Sequence, residues 1–407
     1  MMMEVDVVLG AVGLLGVVVA ALSAKMRQLP LSEPMLGLAA GVVLGPPALD
    51  VLRVGSFTDE HSILHEASRV LLAVSVMAVA LRYPFSAART RWRPVALLLL
   101  VVMPVMAVVT AALGWALLSI PLATALLLGA ALCPTDPVLA SAAVTGDDAE
   151  RDLPERDRQV LSLESGANDG LALPLVLGAI AVAGGVTAGN AALTSLWEVF
   201  GALAVGAIMG YLGGRALQWG EERGATASAP ALFFTVVLAL GILGVAGLAE
   251  TDGILAVFVG GLVFNAVGTG RDRTAEVPID EAINRFAVLP LFVLFGAALP
   301  WTDWVQLGWA GIALAIAVLL LRRIPILYLL RKPLALGRPD ALYLGWFGPV
   351  GVSALFYLTL EADEMDLDPV VLSAGSLVLA VSTVAFGLTG VLGRILYTRA
   401  TADAASR

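Results

Sequence analysis

The sequence is poor in the residues that carry most enzyme and metal-site chemistry. Its 407 residues include one cysteine, Cys133, and two histidines, His61 and His65. A single cysteine excludes a disulfide framework and a cysteine-based metal site. The two histidines share one loop, where we expect them to be solvated, so a histidine proton relay inside a membrane is excluded as well. We therefore expect neither an enzyme nor a bound cofactor.

Charge is also scarce. Charged residues make up 14% of the chain and apolar residues 59%, whereas an average soluble domain carries about 25% charge. The mean hydropathy is +0.91, and the net charge of −9 comes from acidic predicted loops such as 361–368. Lysine occurs only at Lys25 and Lys332, without a phosphate-binding Gly-Lys motif, which excludes nucleotide-driven transport by this chain. The composition predicts an all-α polytopic membrane protein in a lipid bilayer, with no nucleic-acid partner.

Thirteen apolar runs have lengths suited to crossing about 30 Å of hydrocarbon. In chain order, segments 1 to 13 comprise residues 5–24, 30–47, 64–82, 95–118, 121–143, 158–182, 191–214, 229–248, 253–268, 285–299, 305–330, 340–360 and 369–394. The chain begins with the acidic stretch 1–6, so we expect segment 1 to be a retained helix rather than a cleaved signal peptide.

The positions of the basic residues predict the orientation. If the N-terminus lies outside, most of the 24 lysines and arginines fall in loops on the inner side, as the positive-inside rule requires. Arg53 and Arg69 are the exceptions and fall on the outer side, and Arg322 and Arg323 lie within segment 11. We therefore predict a plasma-membrane protein with its N-terminus outside and its C-terminus in the cytoplasm.

Two halves of six segments each, joined by segment 7, would begin on opposite sides of the membrane. Such halves can be related only as inverted repeats, the usual construction of secondary transporters. Segments 5 and 12 are both interrupted by proline, at Cys133-Pro-Thr-Asp-Pro137 and Phe347-Gly-Pro-Val-Gly351. Broken backbone at membrane depth is tolerated only inside protein or beside a water-filled cavity. The matching breaks therefore predict a binding site where the two segments cross.

Ionisable residues are rare at membrane depth, where each costs ~2.5–3.5 kcal/mol on insertion scales. Asp136, Glu164 and Asp169 converge on the broken segments. Glu164 lies about six residues inside segment 6, roughly 9 Å deep at 1.5 Å per residue, and Arg323 lies at a similar depth in segment 11. The spacing favours a Glu164–Arg323 ion pair, with Arg322 as the alternative partner. Asp169 is then left without a fixed countercharge.

These motifs resemble one family along nearly the whole chain. The elements Thr135-Asp136-Pro137 and Glu164-Ser165-x-x-Asn168-Asp169, an arginine in segment 11 and Gly-Pro-x-Gly in segment 12 are similar to the monovalent cation/proton antiporters of the NhaP and NHE type. Many relatives have Gly-Pro-Arg-Gly in segment 12, whereas this chain has Val350. We therefore expect a second arginine near the crossing to be missing.

The resemblance implies roles for particular residues. In the family, the aspartate matching Asp169 binds the cation or the proton, and the glutamate matching Glu164 pairs with the arginine of segment 11. The implied cation site comprises Asp169, Asp136, Thr135, Ser165 and Glu164, with Arg323 and Asn168 in support. Asn168 also marks the Asn-Asp branch of the family, which is usually electroneutral.

The resulting expectation is a transporter that exchanges Na⁺ or Li⁺ for H⁺ by competition at Asp169 with alternating access. Within one membrane domain, residues 1–407, a core formed by about 95–182 and 305–397 moves against a scaffold formed by about 5–82 and 191–299. The resemblance implies homodimers formed through the scaffold. The Gly206-x-x-x-Gly210-x-x-x-Gly214 pattern of segment 7 could be a dimer face, but packing inside one chain is favoured.

Other functions are considered beside this one. K⁺/H⁺ exchange is the main alternative, because carboxylates and a hydroxyl do not fix the size of the ion. A cation channel would need a continuous pore and no dependence on protons. A membrane-embedded hydrolase would need an intramembrane histidine and a nucleophile motif facing it, and the sequence provides neither.

Overall fold

A computed structural model of the protein describes residues 2–22, 29, 31–54, 63–144, 147–224, 228–268 and 277–405. These residues form α-helices and one π-helix, Leu98–Val102, that joins α4 to α5. The α-helices are α1 Met2–Ala21, α2 Glu33–Leu44, α3 Ile63–Arg82, α4 Phe85–Leu97, α5 Met103–Leu118, α6 Leu122–Ala131, α7 Pro137–Val144, α8 Asp147–Asp152, α9 Glu155–Leu171, α10 Leu173–Ala183, α11 Ala188–Glu222, α12 Ser228–Leu248, α13 Gly253–Val267, α14 Val277–Ala297, α15 Trp301–Leu321, α16 Ile324–Leu329, α17 Arg338–Trp346, α18 Val352–Glu364 and α19 Pro369–Ala405.

The predicted all-α membrane fold is confirmed, and each of the thirteen apolar segments coincides with one helix or with a broken run of helices. Among the described residues, six stretches are long and apolar enough to cross a membrane: Ile63–Arg82, Phe85–Leu118, Glu155–Ala183, Ala188–Glu222, Trp301–Leu329 and Pro369–Ala402. The other apolar helices have 10–17 residues. The count of thirteen crossings stays a prediction.

The two proline-interrupted segments are broken where the sequence predicts. In segment 5, α6 ends at Ala131 and α7 begins at Pro137, and in segment 12 α17 ends at Trp346 and α18 begins at Val352. The two interruptions meet, because the backbone N–H of Asp136 donates to the carbonyl of Pro349 at 3.1 Å. Four half-helices therefore end or begin at one crossing inside the protein.

Contacts between helix ends agree with a chain whose successive segments run in opposite directions between two ends of the molecule. At one end of the molecule, the backbone N–H of Asp252 in the α12–α13 turn donates to the carbonyl of Glu198 in α11. At the other end, Arg82 at the end of α3 donates to Ser162 near the start of α9, at 3.0 Å. We call these two ends of the molecule the Asp252 face and the Arg82 face.

Glycines bring α11 against α13 within one chain. A Cβ atom at Gly206 or Gly210 would collide with the backbone of α13 at Ala256 or Gly260, and one at Gly214 would lie 2.8 Å from a methyl carbon of Val267. The close approach leaves no room for a second protein surface on this stripe. The favoured interpretation, packing within the chain, is therefore confirmed.

The helices around the crossing pack both on one another and on the remaining helices. Helix α5 packs on α6 and α15, and α15 packs on α19. Elsewhere α2 packs on α14, and α3 and α11 pack on α13. The helices around the crossing contact the other helices where α9 meets α3 and α13, and where α18 meets α3. The residues around the crossing are therefore bounded by helices of both groups.

Two residues lie in surroundings that the sequence did not indicate. His65 is not a solvated loop residue: its side chain is 14% exposed, its Nδ1 lies 3.0 Å from Thr359 Oγ1, and its ring stacks on Phe356. The reason is that α18 packs on α3. Glu361 belongs to α18 rather than to a loop and is fully buried. His61 lies outside the described residues.

Candidate functional site

The Asp136 carboxylate caps two of the four half-helices that meet at the crossing. Its Oδ1 accepts the backbone N–H groups of Val138 and Leu139, at 2.6 and 2.9 Å, in the first turn of α7. Its Oδ2 accepts the N–H of Val352, the first residue of α18. The N-termini of helices carry partial positive charge and free N–H groups. One carboxylate therefore satisfies two of them at once.

Arg322 caps the other two half-helices. Its guanidinium donates to the carbonyls of Leu132, Pro134 and Gly348, which follow the C-terminal ends of α6 and α17. These ends carry partial negative charge and unpaired carbonyls. Arg322 is 2% exposed and provides a cation at the crossing. The arginine that we expected to be missing is supplied from segment 11, while the Val350 N–H donates to Ser382 at 3.0 Å.

Arg323 makes the ion pair with Glu164. Its NH1 and NH2 nitrogens lie 2.8 and 2.9 Å from the two carboxylate oxygens of Glu164, in a bidentate arrangement. Arg323 Nε also donates to the carbonyl of Leu344 at 3.1 Å. The backbone breaks between α15 and α16, ahead of Pro325, and Arg322 and Arg323 point to different partners there. The two arginines that the sequence could not separate therefore have separate contacts.

A small polar network joins the ion pair to the crossing. Asn168 Nδ2 donates to Thr135 Oγ1 at 2.6 Å and to Glu164 Oε1 at 2.9 Å. The hydroxyls of Thr135 and Ser165 are 3.3 Å apart. All four residues are at most 1% exposed. Asn168 thus holds the broken segment 5 against α9, a positioning role that agrees with its expected place beside the site.

Asp169 differs from the other buried carboxylates at the crossing. It is 1% exposed, and no described residue donates a hydrogen bond to either of its carboxylate oxygens. The Ser353 hydroxyl lies nearby in α18 and has no well-formed hydrogen bond to a described residue. An unpaired carboxylate beside a free hydroxyl is suited to hold a proton or a small cation.

The structure thus sorts the residues that were expected to line a cation site. The Asp169 oxygens accept no hydrogen bond from a described residue, and the Ser165 hydroxyl contacts that of Thr135. The oxygens of Asp136 instead face backbone N–H groups, and those of Glu164 face Arg323. The roles of these residues in ion binding remain predictions. Among the three carboxylates expected in the site, only Asp169 has both oxygens free of a described partner.

Sequence reasoning missed three residues of α18. Tyr357 is fully buried and its hydroxyl donates to the backbone carbonyl of Asp169. Ser353 precedes it by one helical turn. Glu361 follows it by one turn, is buried, and accepts no hydrogen bond from a described residue. Their spacing of four residues places all three on one stripe of the helix. This four-residue spacing of polar residues in the sequence was the signal that could have identified the stripe.

The one thiol of the sequence is not exposed. The single cysteine, Cys133, lies in the interruption of segment 5 and is fully buried. It is adjacent in the chain to Pro134, whose carbonyl accepts a hydrogen bond from Arg322. Cys133 is therefore packed into the crossing and forms part of its apolar wall.

Comparison with known proteins identifies relatives of the chain. Na(+)/H(+) antiporter 2 of Zygosaccharomyces rouxii is 33% identical over 359 residues, which are 84% of this chain and 44% of that protein. The Na(+)/H(+) antiporter of Saccharomyces cerevisiae is 30% identical over 84% of this chain and 36% of that protein. The K(+)/H(+) antiporter NhaP2 of Shewanella oneidensis is 25% identical over 80% of this chain and 56% of that protein. The chain thus spans less than half the length of the two yeast relatives.

The fold also matches a solved structure. The sodium proton antiporter MjNhaP1 from Methanocaldococcus jannaschii at pH 8 superimposes with a TM-score of 0.72, at 18% sequence identity, over 98% of this chain and 97% of that one. The sequence profile of the family described as sodium/hydrogen exchanger, transmembrane, matches residues 14–396. This chain therefore belongs to the transmembrane sodium/hydrogen exchanger family.

Proposed function

We propose that the protein exchanges Na⁺ for H⁺ across the plasma membrane, with both ions competing for Asp169. The observation that carries the proposal is the buried Asp169 carboxylate, which no described residue neutralises or hydrogen-bonds. The yeast relatives are Na⁺/H⁺ antiporters by name, and the family membership supports a monovalent cation and a proton as substrates.

Competition for one carboxylate is sufficient for obligatory exchange. An empty, charged Asp169 would carry its charge through a low-dielectric region at a cost of ~2.5–3.5 kcal/mol on insertion scales. A bound proton or a bound Na⁺ cancels that charge. The site can therefore move between the two sides when it holds either ion, and it moves reluctantly when it is empty.

The moving part is proposed to be the six-segment core, about 95–182 and 305–397, which carries the crossing. The scaffold, about 5–82 and 191–299, stays in place and forms the homodimer contact. In this proposal the N-terminus is outside and the C-terminus is cytoplasmic, so the Asp252 face is external and the Arg82 face is internal. The contacts of α9 with α3 and α13 form part of the boundary along which the core would slide.

The activity is tested by ion-driven proton flux in proteoliposomes. We expect Na⁺ and Li⁺ to drive proton movement, and the half-saturating Na⁺ concentration to rise as the pH falls, because protons occupy the same carboxylate. The rise approaches tenfold per pH unit once the protonated form dominates. A half-saturating concentration that is independent of pH between 5 and 9 would contradict competition at a single site.

The residue assignment is tested with Asp169→Asn. The variant should lose exchange, because an amide can neither release a proton nor neutralise a cation, and it should remain folded, because a neutral amide costs less to bury than a carboxylate. Circular dichroism and thermal unfolding in detergent provide the folding control. Exchange retained in a folded Asp169→Asn protein would refute the assignment.

K⁺/H⁺ exchange is the second candidate, and the observation in its favour is the similarity to the K⁺/H⁺ antiporter NhaP2. Carboxylate and hydroxyl oxygens accept both ions. The same flux assay decides between them when Na⁺, Li⁺ and K⁺ are supplied in turn. Proton flux driven by K⁺ but not by Na⁺ would replace the first candidate by the second.

A further inference from the structure

A second buried carboxylate with a free oxygen lies on the other side of the boundary from Asp169. Asp252 precedes α13, and its Oδ1 accepts the backbone N–H groups of Ile254 and Leu255, both at 2.9 Å. The residue is 6% exposed. Its other oxygen, Oδ2, accepts no hydrogen bond from a described residue. Capping of α13 therefore uses one oxygen and leaves the second one free.

Close packing between α9 and α13 connects the surroundings of Asp169 with those of Asp252. Gly170 directly follows Asp169, and a Cβ atom on it would lie 2.6 Å from the Cβ and 2.7 Å from the backbone nitrogen of Leu255. That same Leu255 nitrogen donates to Asp252. Asp252 acts electrostatically on Asp169 and on the Tyr357 hydroxyl that bonds the Asp169 carbonyl. Asp169 and Asp252 thus lie on either side of one tight glycine contact.

Further carboxylates continue from Asp252 toward the surface of the molecule. The backbone N–H of Asp252 donates to the Glu198 carbonyl of α11 at 3.3 Å, and the Glu198 side chain interacts electrostatically with Glu364 at the end of α18. Glu364 is exposed. The order Asp169, Asp252, Glu198, Glu364 therefore runs from the crossing to the Asp252 face. It begins and ends in the core and passes through two residues of the scaffold.

Asp252 lies in the turn before α13, and its charge is poorly stabilised there. Burial raises the pKa of its carboxyl to about 7, and the neighbouring Glu198 pushes in the same direction, while the N–H groups of Leu255 and Ile254 oppose both. The titratable groups facing it are Glu198 from α11, and Asp169 and Tyr357 from the core. No described lysine or arginine interacts with it. A cation arriving from the Asp252 face would supply the missing positive charge.

We propose that Asp252 is a second binding site for the transported cation and proton, placed on the scaffold between Asp169 and the Asp252 face. It receives ions that enter or leave Asp169 on that side only. The inference rests on the proposed exchange at Asp169. Its chemistry is that of a monovalent cation, held by the free oxygen of one carboxylate and exchanged with a proton on the same oxygen.

The test compares the two faces of the membrane. Asp252→Asn removes the charge and keeps an N-cap side chain, since asparagine caps helices about as well as aspartate. We expect the half-saturating Na⁺ concentration at the Asp252 face to rise on the order of fivefold, the loss of one nearby carboxylate charge in a partly screened medium. The value at the Arg82 face should stay within about twofold. Right-side-out and inside-out vesicles give the two measurements.

Controls separate the charge from the fold. Asp366→Asn removes an exposed carboxylate from the same face and should leave both half-saturating concentrations unchanged. Asp252→Ser also keeps a capping oxygen and replaces the asparagine variant if that one does not fold, while Asp252→Glu should restore most of the affinity. An unchanged value at the Asp252 face, or an equal rise at both faces, overturns the proposal. Exchange retained in Asp169→Asn overturns the proposed function instead.

Discussion

At the scale of single residues, two side chains of opposite charge hold the crossing together. Asp136 accepts hydrogen bonds from the N-terminal ends of α7 and α18, and Arg322 donates to the carbonyls after α6 and α17. Each side chain would be costly at membrane depth by itself. Both are stabilised because they meet helix ends that would otherwise leave backbone groups unpaired.

This arrangement predicts that Asp136 and Asp169 respond differently to the same substitution. Asp136→Asn turns an NH₂ group toward a backbone N–H, so a buried donor loses its acceptor, at a cost of ~1–3 kcal/mol. Asp169→Asn breaks no hydrogen bond to a described residue. We expect a lower midpoint of thermal unfolding for Asp136→Asn and an unchanged or higher one for Asp169→Asn. Equal losses in both variants would contradict the capping role.

The Glu164–Arg323 pair gives a second prediction at this scale. Removing one partner leaves a lone buried charge, which costs ~3–5 kcal/mol, while removing both costs less than the sum. Thermal unfolding of Glu164→Gln, Arg323→Leu and the double variant measures the coupling. Strictly additive losses of stability would show that Glu164 and Arg323 do not stabilise each other.

At the scale of helices, the contact between α9 and α13 depends on an absent side chain. Gly170 lies so close to Leu255 that a methyl group would overlap it, whereas Gly178 in the following helix has nothing within 4 Å of the corresponding position. Gly170 therefore sets how closely α9 approaches α13, and Gly178 does not constrain a neighbouring helix.

The matched pair Gly170→Ala and Gly178→Ala tests this contact. Gly170→Ala should lower the free energy of unfolding by ~1–3 kcal/mol, the usual cost of overpacking, and should slow exchange by shifting the two helices apart. Gly178→Ala should keep the exchange rate and gain ~0.5–1 kcal/mol, since alanine is the better helix residue. Exchange flux and thermal unfolding, measured on both variants, test whether Gly170 sets the spacing of the two helices. Similar behaviour of the two variants would count against the contact.

The elements also show what the sequence could and could not predict. The helix breaks were predictable because Pro137 and Pro349 remove backbone donors wherever they lie. The Glu164–Arg323 pair followed from equal depth in two segments. The second cation at the crossing was not predictable from Val350, since Arg322 reaches the same place from another helix. The burial of Glu361 likewise depends on neighbours that are remote in the chain.

At the scale of the whole molecule, the two arginines at the crossing equal in number the two carboxylates beside Asp169 there, Asp136 and Glu164. Glu164 is neutralised by direct contact with Arg323, and Asp136 and Arg322 each contact helix ends of the opposite partial charge. In the proposed exchange, Asp169 is neutral when it holds a proton or a cation. In the proposed exchange, a core with equal numbers of these charges would move through the membrane without net charge. The fully buried Glu361 joins this balance only if it keeps its proton.

The corresponding prediction is that exchange is electroneutral. A membrane potential imposed with K⁺ and valinomycin should leave the steady-state Na⁺ gradient in proteoliposomes unchanged, because one charge moves in each direction per cycle. The control is the same potential applied to liposomes containing Asp169→Asn, which gives the leak. A gradient that shifts with potential would require a second proton carrier, for which Asp136 and Glu361 are the candidates.

The reactivity of the single, buried cysteine can report how often the crossing opens to water. Cys133 lies in the interruption of segment 5, where a maleimide cannot reach it while the crossing is closed. Any alkylation must therefore pass through a state in which the crossing is exposed to water. The rate of labelling, compared with and without Na⁺, would follow how often that state is visited in unmodified protein, without a single substitution.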